Sequence, residues 1–222
     1  MFEAWVGTRY ADETNVIGGA RLLILGEAHY DSAAEIGSER PELTREVVEA
    51  YVDGRLRSNA TFFRRVERLV TGRYERGLTG EESKQFWDSV VFYNYIPVIA
   101  GNKPGDRPPE HLWGGKAPQL FFDVVKRREA EIILVCGREL WRKKPHQKAI
   151  KAAYKVGGRS FEAHEINWST EWGAVAAHIL HPSGYRGWSY DENTPPVQFL
   201  FEELNRRRHA KGIATVPTGR LA

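Results

Sequence analysis

Four short stretches of this chain carry side chains that could do chemistry together. They are Gly26-Glu27-Ala28-His29-Tyr30-Asp31, Asn94-Tyr95-Ile96-Pro97, Gly137-Arg138-Glu139-Leu140 and His181-Pro182-Ser183-Gly184-Tyr185-Arg186. Between them they offer a carboxylate, a carboxamide and an imidazole from three separate segments. A carboxylate can stabilise a developing cation and hold a water, while a neutral imidazole can donate one hydrogen bond to a growing anion. A carboxamide presents a donor and an acceptor side by side, as the edge of a nucleobase requires. Each residue also has a bland role: Glu27 as an acid at a helix start, Asn94 as a strand-ending Asx turn, His181 as a ring satisfied by backbone. What distinguishes them is position, because each stretch directly follows an apolar run.

Those runs are RLLIL (21–25), VVFYN (90–94), EIILVC (131–136) and residues 174–180, all short and β-rich, as strands buried on both faces would be. Helical periodicity separates them. It covers 42–51 behind Pro41, and 59–70, where Asn59 can cap and Phe62, Phe63, Val66, Leu69 and Val70 share a face. Pro118 opens a helix with Leu120, Phe121, Val124 and Val125 inward, a basic helical stretch follows Gly137, and a closing helix spans 195–208. Residues 160–166 read as an edge strand, and 96–115 hold too many prolines and glycines for regular structure. Alternating strands and helices predict an α/β fold, a mostly parallel sheet covered on both faces. In such a sheet ligands sit beyond the carboxyl ends of the strands, so the four stretches are expected to line one cleft.

Composition narrows the class. With 222 residues, 41% hydrophobic and 27% charged, the chain reads as one globular domain over 1–222. Its first residues include acids where a signal peptide needs an apolar core, and no apolar run is long enough to cross a bilayer. The expectation is a cytoplasmic protein with no membrane partner, in which the Asn-x-Ser/Thr matches at Asn59 and Asn167 are accidental. Cys136 is the single cysteine, which excludes internal disulfides, cysteine zinc sites and four-cysteine iron–sulfur clusters. There is no Gly-rich loop ending in Gly-Lys-Ser/Thr, no His-Glu-x-x-His, no Gly-x-Ser-x-Gly and no dinucleotide fingerprint. The net charge is only +3, but residues 138–159 hold eight Lys or Arg against Glu139 alone, and Arg206, Arg207, Arg208 and Lys211 add to the tail. Such runs serve as solvated faces as readily as polyanion sites.

In order and spacing, Gly26-Glu27-Ala28, Asn94, the loop Lys103-Pro104-Gly105-Asp106-Arg107-Pro108, Gly137 and His181-Pro182-Ser183 resemble the uracil-DNA glycosylase superfamily over about residues 21–204. The likeness mixes the Gly-Glu-Ala-Pro-Gly type with the uracil-specific type. It implies a three-layer α/β/α sandwich around a central, mostly parallel four-stranded sheet. It also implies a monofunctional DNA glycosylase, monomeric and without metal or cofactor, that hydrolyses the N-glycosidic bond of uracil or another altered base flipped out of DNA. The catalytic candidates are then Glu27 for the sugar cation and the water, Asp31 as a second choice for the water, and His181 as donor to the leaving base. Asn94, Tyr30, His29 and Phe62 are the base-binding candidates, with Phe63 an alternative stacking ring. Ser183, Lys103 and Arg107 would hold phosphates, and Tyr185 and Arg186 would wedge into the duplex.

The likeness has departures. His29 stands where the family usually has proline, and Tyr30 follows where the iron–sulfur type has glycine. Tyr30 matches the tyrosine that would crowd a base's 5-position and exclude thymine. The His29 departure favours an alternative, a catalytically weak or inactive nucleic-acid-binding module on the same scaffold. A third reading is a metal-dependent hydrolase using Glu27, His29, His178 and His181, although in an alternating strand His178 and His181 point to opposite faces.

Overall fold

The computed structural model describes residues 3–56, 60–103, 105–156, 159–184 and 187–217, apart from the side chains of 150–159. In chain order the elements are β1 (Trp5–Val6), β2 (Leu22–Gly26), β3 (His29–Tyr30), α1 (Leu43–Val52), α2 (Ala60–Thr71), α3 (Gly80–Trp87), β4 (Val91–Asn94) and β5 (Ile99–Gly101). A 3-10 helix, Glu110–Trp113, precedes α4 (Ala117–Arg127), β6 (Ile132–Cys136), α5 (Arg138–Lys143), β7 (Lys148–Val156), β8 (Arg159–Asn167), β9 (Gly173–Ile179) and α6 (Tyr190–Ala210).

Among the described residues, seven strands form one sheet in the order β1-β4-β2-β6-β9-β8-β7, and β3 pairs with β5 in a small second sheet. The four apolar runs are the central, mutually parallel strands β4, β2, β6 and β9. Alternate residues of these runs feed two cores. Leu22, Ile24, Phe92, Leu134 and Ala177 pack with the side chains of α1, α2, α3 and α6; Leu23, Leu25, Tyr93, Val135 and Ala176 pack with those of α4 and α5. Both faces are therefore covered, which is why the runs carry no polar alternation. Register brings the carboxyl ends level, with Gly26 opposite Asn94 and Cys136 opposite Ile179. Among the described residues no helix is long and apolar enough to cross a membrane.

Four expectations need correction. The sheet has seven strands rather than four, with β1, β8 and β7 joining it antiparallel. Residues 160–166 do not form an edge, because β7 pairs outside β8. The basic stretch is helical only to Lys143: Lys144 precedes Pro145 and is extended, with ψ of 146°, as a residue before proline tends to be. The chain then runs as β7, so pairing with β8 overrides the helix preference of its alanines and lysines. The breaker-rich loop holds β5 and the 3-10 helix, since its amides find partners in β3 and in local turns.

Two helices also differ from expectation. α3 was not anticipated, yet its capping box is plain, with Thr79 and Glu82 each bonding the other's backbone N–H. α6 starts at Tyr190, capped by the Ser189 hydroxyl on the Glu192 N–H, and includes Pro195 and Pro196. The expected cap Asn59 lies outside the described residues.

Candidate active site

At the carboxyl edge of the parallel strands, the His-Pro-Ser loop makes a tight turn in which the Gly184 N–H donates to the His181 carbonyl at 2.9 Å. The Ser183 N–H donates to His181 Nδ1 at 3.2 Å. With Nδ1 acting as acceptor, the neutral ring must carry its proton on Nε2. The residue stands at the mouth of the edge, but the protein packed around its ring desolvates it and lowers its pKa. A neutral imidazole with its proton on Nε2 is the result.

Phe62 connects this ring to the strands. Its centroid lies 5.8 Å from that of His181 and 5.6 Å from that of Phe92. Phe92 and Asn94 alternate on the same face of β4, and Asn94 lies across Gly26 so closely that a Cβ on Gly26 would sit 2.1 Å from its Oδ1. Gly26 has no left-handed backbone, so here glycine supplies space. Asn94 is only 4% exposed, and among the described residues its carboxamide makes no hydrogen bond. Its amide atoms are not among the fully buried side-chain atoms that lack a partner, so water or a ligand can reach them. Gly137 abuts the group from β6, since a Cβ there would touch His181 Cδ2 at 3.5 Å.

Glu27 follows Gly26 directly, its carbonyl accepting from the Ile96 N–H at 3.0 Å. Its carboxylate accepts from the Tyr30 hydroxyl at 3.2 Å. Burial raises its pKa, an effect opposed by the Tyr30 bond and reinforced by the negative charge of Glu139. Arg107, 3.8 Å from Glu139, and Lys143, paired with Glu110, lend positive charge to the same surroundings. The Tyr30 phenol is in turn pushed up by burial and by Glu27.

The chain matches no family model and no curated protein sequence. Its reading therefore stands on geometry.

The remaining candidates divide. His29 turns into the protein, buried, with Nε2 3.0 Å from the Thr44 hydroxyl of α1 and its pKa lowered by burial to about 3, so the structure gives it a packing role. Asp31 accepts from the Ala33 N–H at 2.9 Å and pairs with Arg40 at 2.8 Å, which hold its pKa down and occupy both oxygens. Phe62 is largely core but touches His181, whereas Phe63 stacks wholly within the core on Tyr51 at 4.8 Å. Ser183 is half-buried in the His-Pro-Ser turn. Lys103 and Arg107 project from an exposed loop whose Asn102 and Lys103 N–H groups both donate to Asp106. Tyr185 and Arg186 lie outside the described residues. His178 stacks on Trp141 at 4.9 Å, in the opposite core from His181's neighbour Phe62. Among the described residues no three His, Cys, Asp or Glu side chains converge as a metal ion would need.

Sequence reasoning passed over Arg65. Its Nη1 donates to both the Pro182 and Gly184 carbonyls at 2.7 Å, and its guanidinium lies 5.2 Å from the Trp188 ring centroid. Its only sequence signal is its position three residues after Phe62, which puts both on neighbouring positions of one helical surface. Asn193 was also passed over; it bonds the Leu180 N–H and the Ser189 carbonyl, both at 2.7 Å, and so anchors the strand end that delivers His181.

Proposed function

We propose that the protein is a DNA glycosylase that hydrolyses the N-glycosidic bond of uracil or another altered base flipped out of DNA. The observation that carries this reading is the neutral His181, its proton on Nε2, on the same aromatic wall as the Asn94 carboxamide, which makes no hydrogen bond among the described residues. One supplies a donor for a base oxygen on which negative charge develops; the other supplies a donor and an acceptor for a base edge.

In the reaction the carbon–nitrogen bond breaks with its electron pair going to the base. The sugar becomes oxocarbenium-like, and a water adds to its anomeric carbon while losing a proton. Glu27, as a carboxylate, faces the cationic sugar and accepts that proton. His181 donates from Nε2 to the departing base without transferring its proton. Asn94 pairs with the base edge. Lys103, Arg107 and Ser183 are suited to phosphates, an exposed task that positions DNA without reading sequence. The Tyr30 ring, tied to Glu27, is the group that would meet a substituent at the 5-position.

Two observations favour a second reading, a non-catalytic DNA-binding module: His29 is committed to Thr44, and the Glu27 carboxylate is already engaged by Tyr30. An abasic-site assay separates the two. Oligonucleotides carrying uracil, hypoxanthine, xanthine, oversized modified pyrimidines or a thymine mispair are incubated with the protein and scored for abasic sites. Release of at least one base, abolished by Glu27→Gln, supports the glycosylase. Binding without cutting, unaltered by Glu27→Gln or His181→Asn, leaves only the module.

A further inference from the structure

The geometry points to Arg65 as a positioning residue that sets the tautomer of His181. This inference rests on the proposed role of His181. The two hydrogens of one Nη1 reach the Pro182 and Gly184 carbonyls, both at 2.7 Å. The Pro182 carbonyl and the Ser183 N–H belong to the same peptide plane, and in a trans peptide they point in opposite directions. Arg65 therefore grips one side of a rigid plate whose other side presents its N–H to His181 Nδ1 at 3.2 Å. If the plate turned, Nδ1 would lose its donor and the imidazole would be free to carry its proton there. Nε2 would then be an acceptor, unable to stabilise an anionic base.

The fold makes this grip rigid. Arg65 projects from α2 three residues after Phe62, whose ring touches the same imidazole, so one helix supports the ring and the turn behind it. The guanidinium lies over Trp188, which fixes its plane on the far side. The Gly184 bond closes the turn from its other end, where the N–H of Gly184 already holds the His181 carbonyl. A guanidinium suits this work because its donors are fixed in one plane and it always carries its charge.

The test uses the full chain as wild type, Arg65→Met and Arg65→Lys. Nitrogen-15 imidazole spectra report the tautomer, with the His181 signal assigned by its loss in His181→Asn. The wild type is expected to show the Nε2–H form, and Arg65→Met to lose it to a mixture. Single-turnover and steady-state cutting of a uracil oligonucleotide, per folded molecule, should then show kcat down roughly tenfold or more, with KM changed less than about threefold, as misplacement of a catalytic group predicts. Arg65→Lys, which can still donate to the carbonyls, should recover most of both. An Nδ1–H tautomer in the wild type overturns the proposal even if Arg65→Met does not fold. So does an Arg65→Met protein with unchanged spectrum and kcat, or one affected in KM alone. If the wild type releases no base, the glycosylase reading fails while the spectra still decide what Arg65 does.

Discussion

Take His181 away and the turn that holds it remains, because Arg65 and the Gly184 N–H grip its backbone. His181→Asn should therefore leave DNA affinity nearly unchanged and slow base release by about a hundredfold or more, the scale of losing one preorganised oxyanion donor. Equal losses of binding and rate would contradict a role confined to the transition state. Glu27 leads to a pH prediction. It must be ionised to work, and burial raises its pKa, so activity should fall on acidification at a higher pH than an ordinary glutamate would give. Tyr30→Phe removes the hydrogen bond that favours the ionised form, so the acid limb should move to still higher pH; a limb that stays or moves down would detach Tyr30 from Glu27. At this scale the sequence was legible for placement, since Glu27, Asn94 and His181 stand at the ends of the strands their apolar runs predicted. It was not legible for His29 and Asp31, whose partners Thr44 and Arg40 come from the next segments and draw them away. Beyond its spacing from Phe62, Arg65 could not be read, since it acts on carbonyls more than a hundred residues along the chain.

The strands β2, β4, β6 and β9 were legible because burial on both faces leaves an unbroken apolar run, a pattern that no surface element copies. β8 was legible as a strand over 160–166, but β7 was not, because Lys148, Ala149, Lys151, Ala152 and Ala153 favour a helix in isolation and only pairing with β8 decides otherwise. Element packing also explains Gly26, where β2 must end without a side chain so that the carboxamide at the end of β4 can lie over it. Gly26→Ala would place a Cβ 2.1 Å from Asn94 Oδ1, which rotation of the amide can relieve only by leaving its present place. The expected outcome is a folded protein destabilised by about 1–3 kcal/mol, as for overpacking. Base release should fall more than stability explains. Wild-type activity per folded molecule in Gly26→Ala would show that the placement of Asn94 is unimportant.

Across the whole molecule, the added antiparallel strands help bury one polar group, away from the candidate site, that bears on how stability should follow pH. Lys144 is 2% exposed, its Nζ donating to His164 Nδ1 at 2.7 Å, while Trp141 stacks on His164 at 3.9 Å and His146 stacks on its ring at 3.8 Å. Glu162 meets His164 Nε2 at 3.1 Å, and His178 also stacks on Trp141 at 4.9 Å. Burial pulls Lys144 from the usual 10.5 down to about 7 and lowers His164 and His178 as well, with the negative charge of Glu162 opposing it. Between those two lysine values the unfolded chain binds a proton that the folded one refuses, so stability rises with pH across the window, and the full cost is felt only below it. The histidines add a slope of the same sign below their ordinary 6.5. Cys136 works in the opposite direction, since burial raises its thiol and the unfolded chain ionises first above about pH 9. Urea unfolding from about pH 6 to about pH 8.5 should therefore show stability increasing steadily with pH, and Lys144→Met should flatten the part above pH 7. A wild-type profile that is level or falls across this range would mean that Lys144 keeps its proton when folded. The hairpin would then have to hold a buried ammonium against a neutral imidazole, which the single carboxylate of Glu162 is poorly placed to balance.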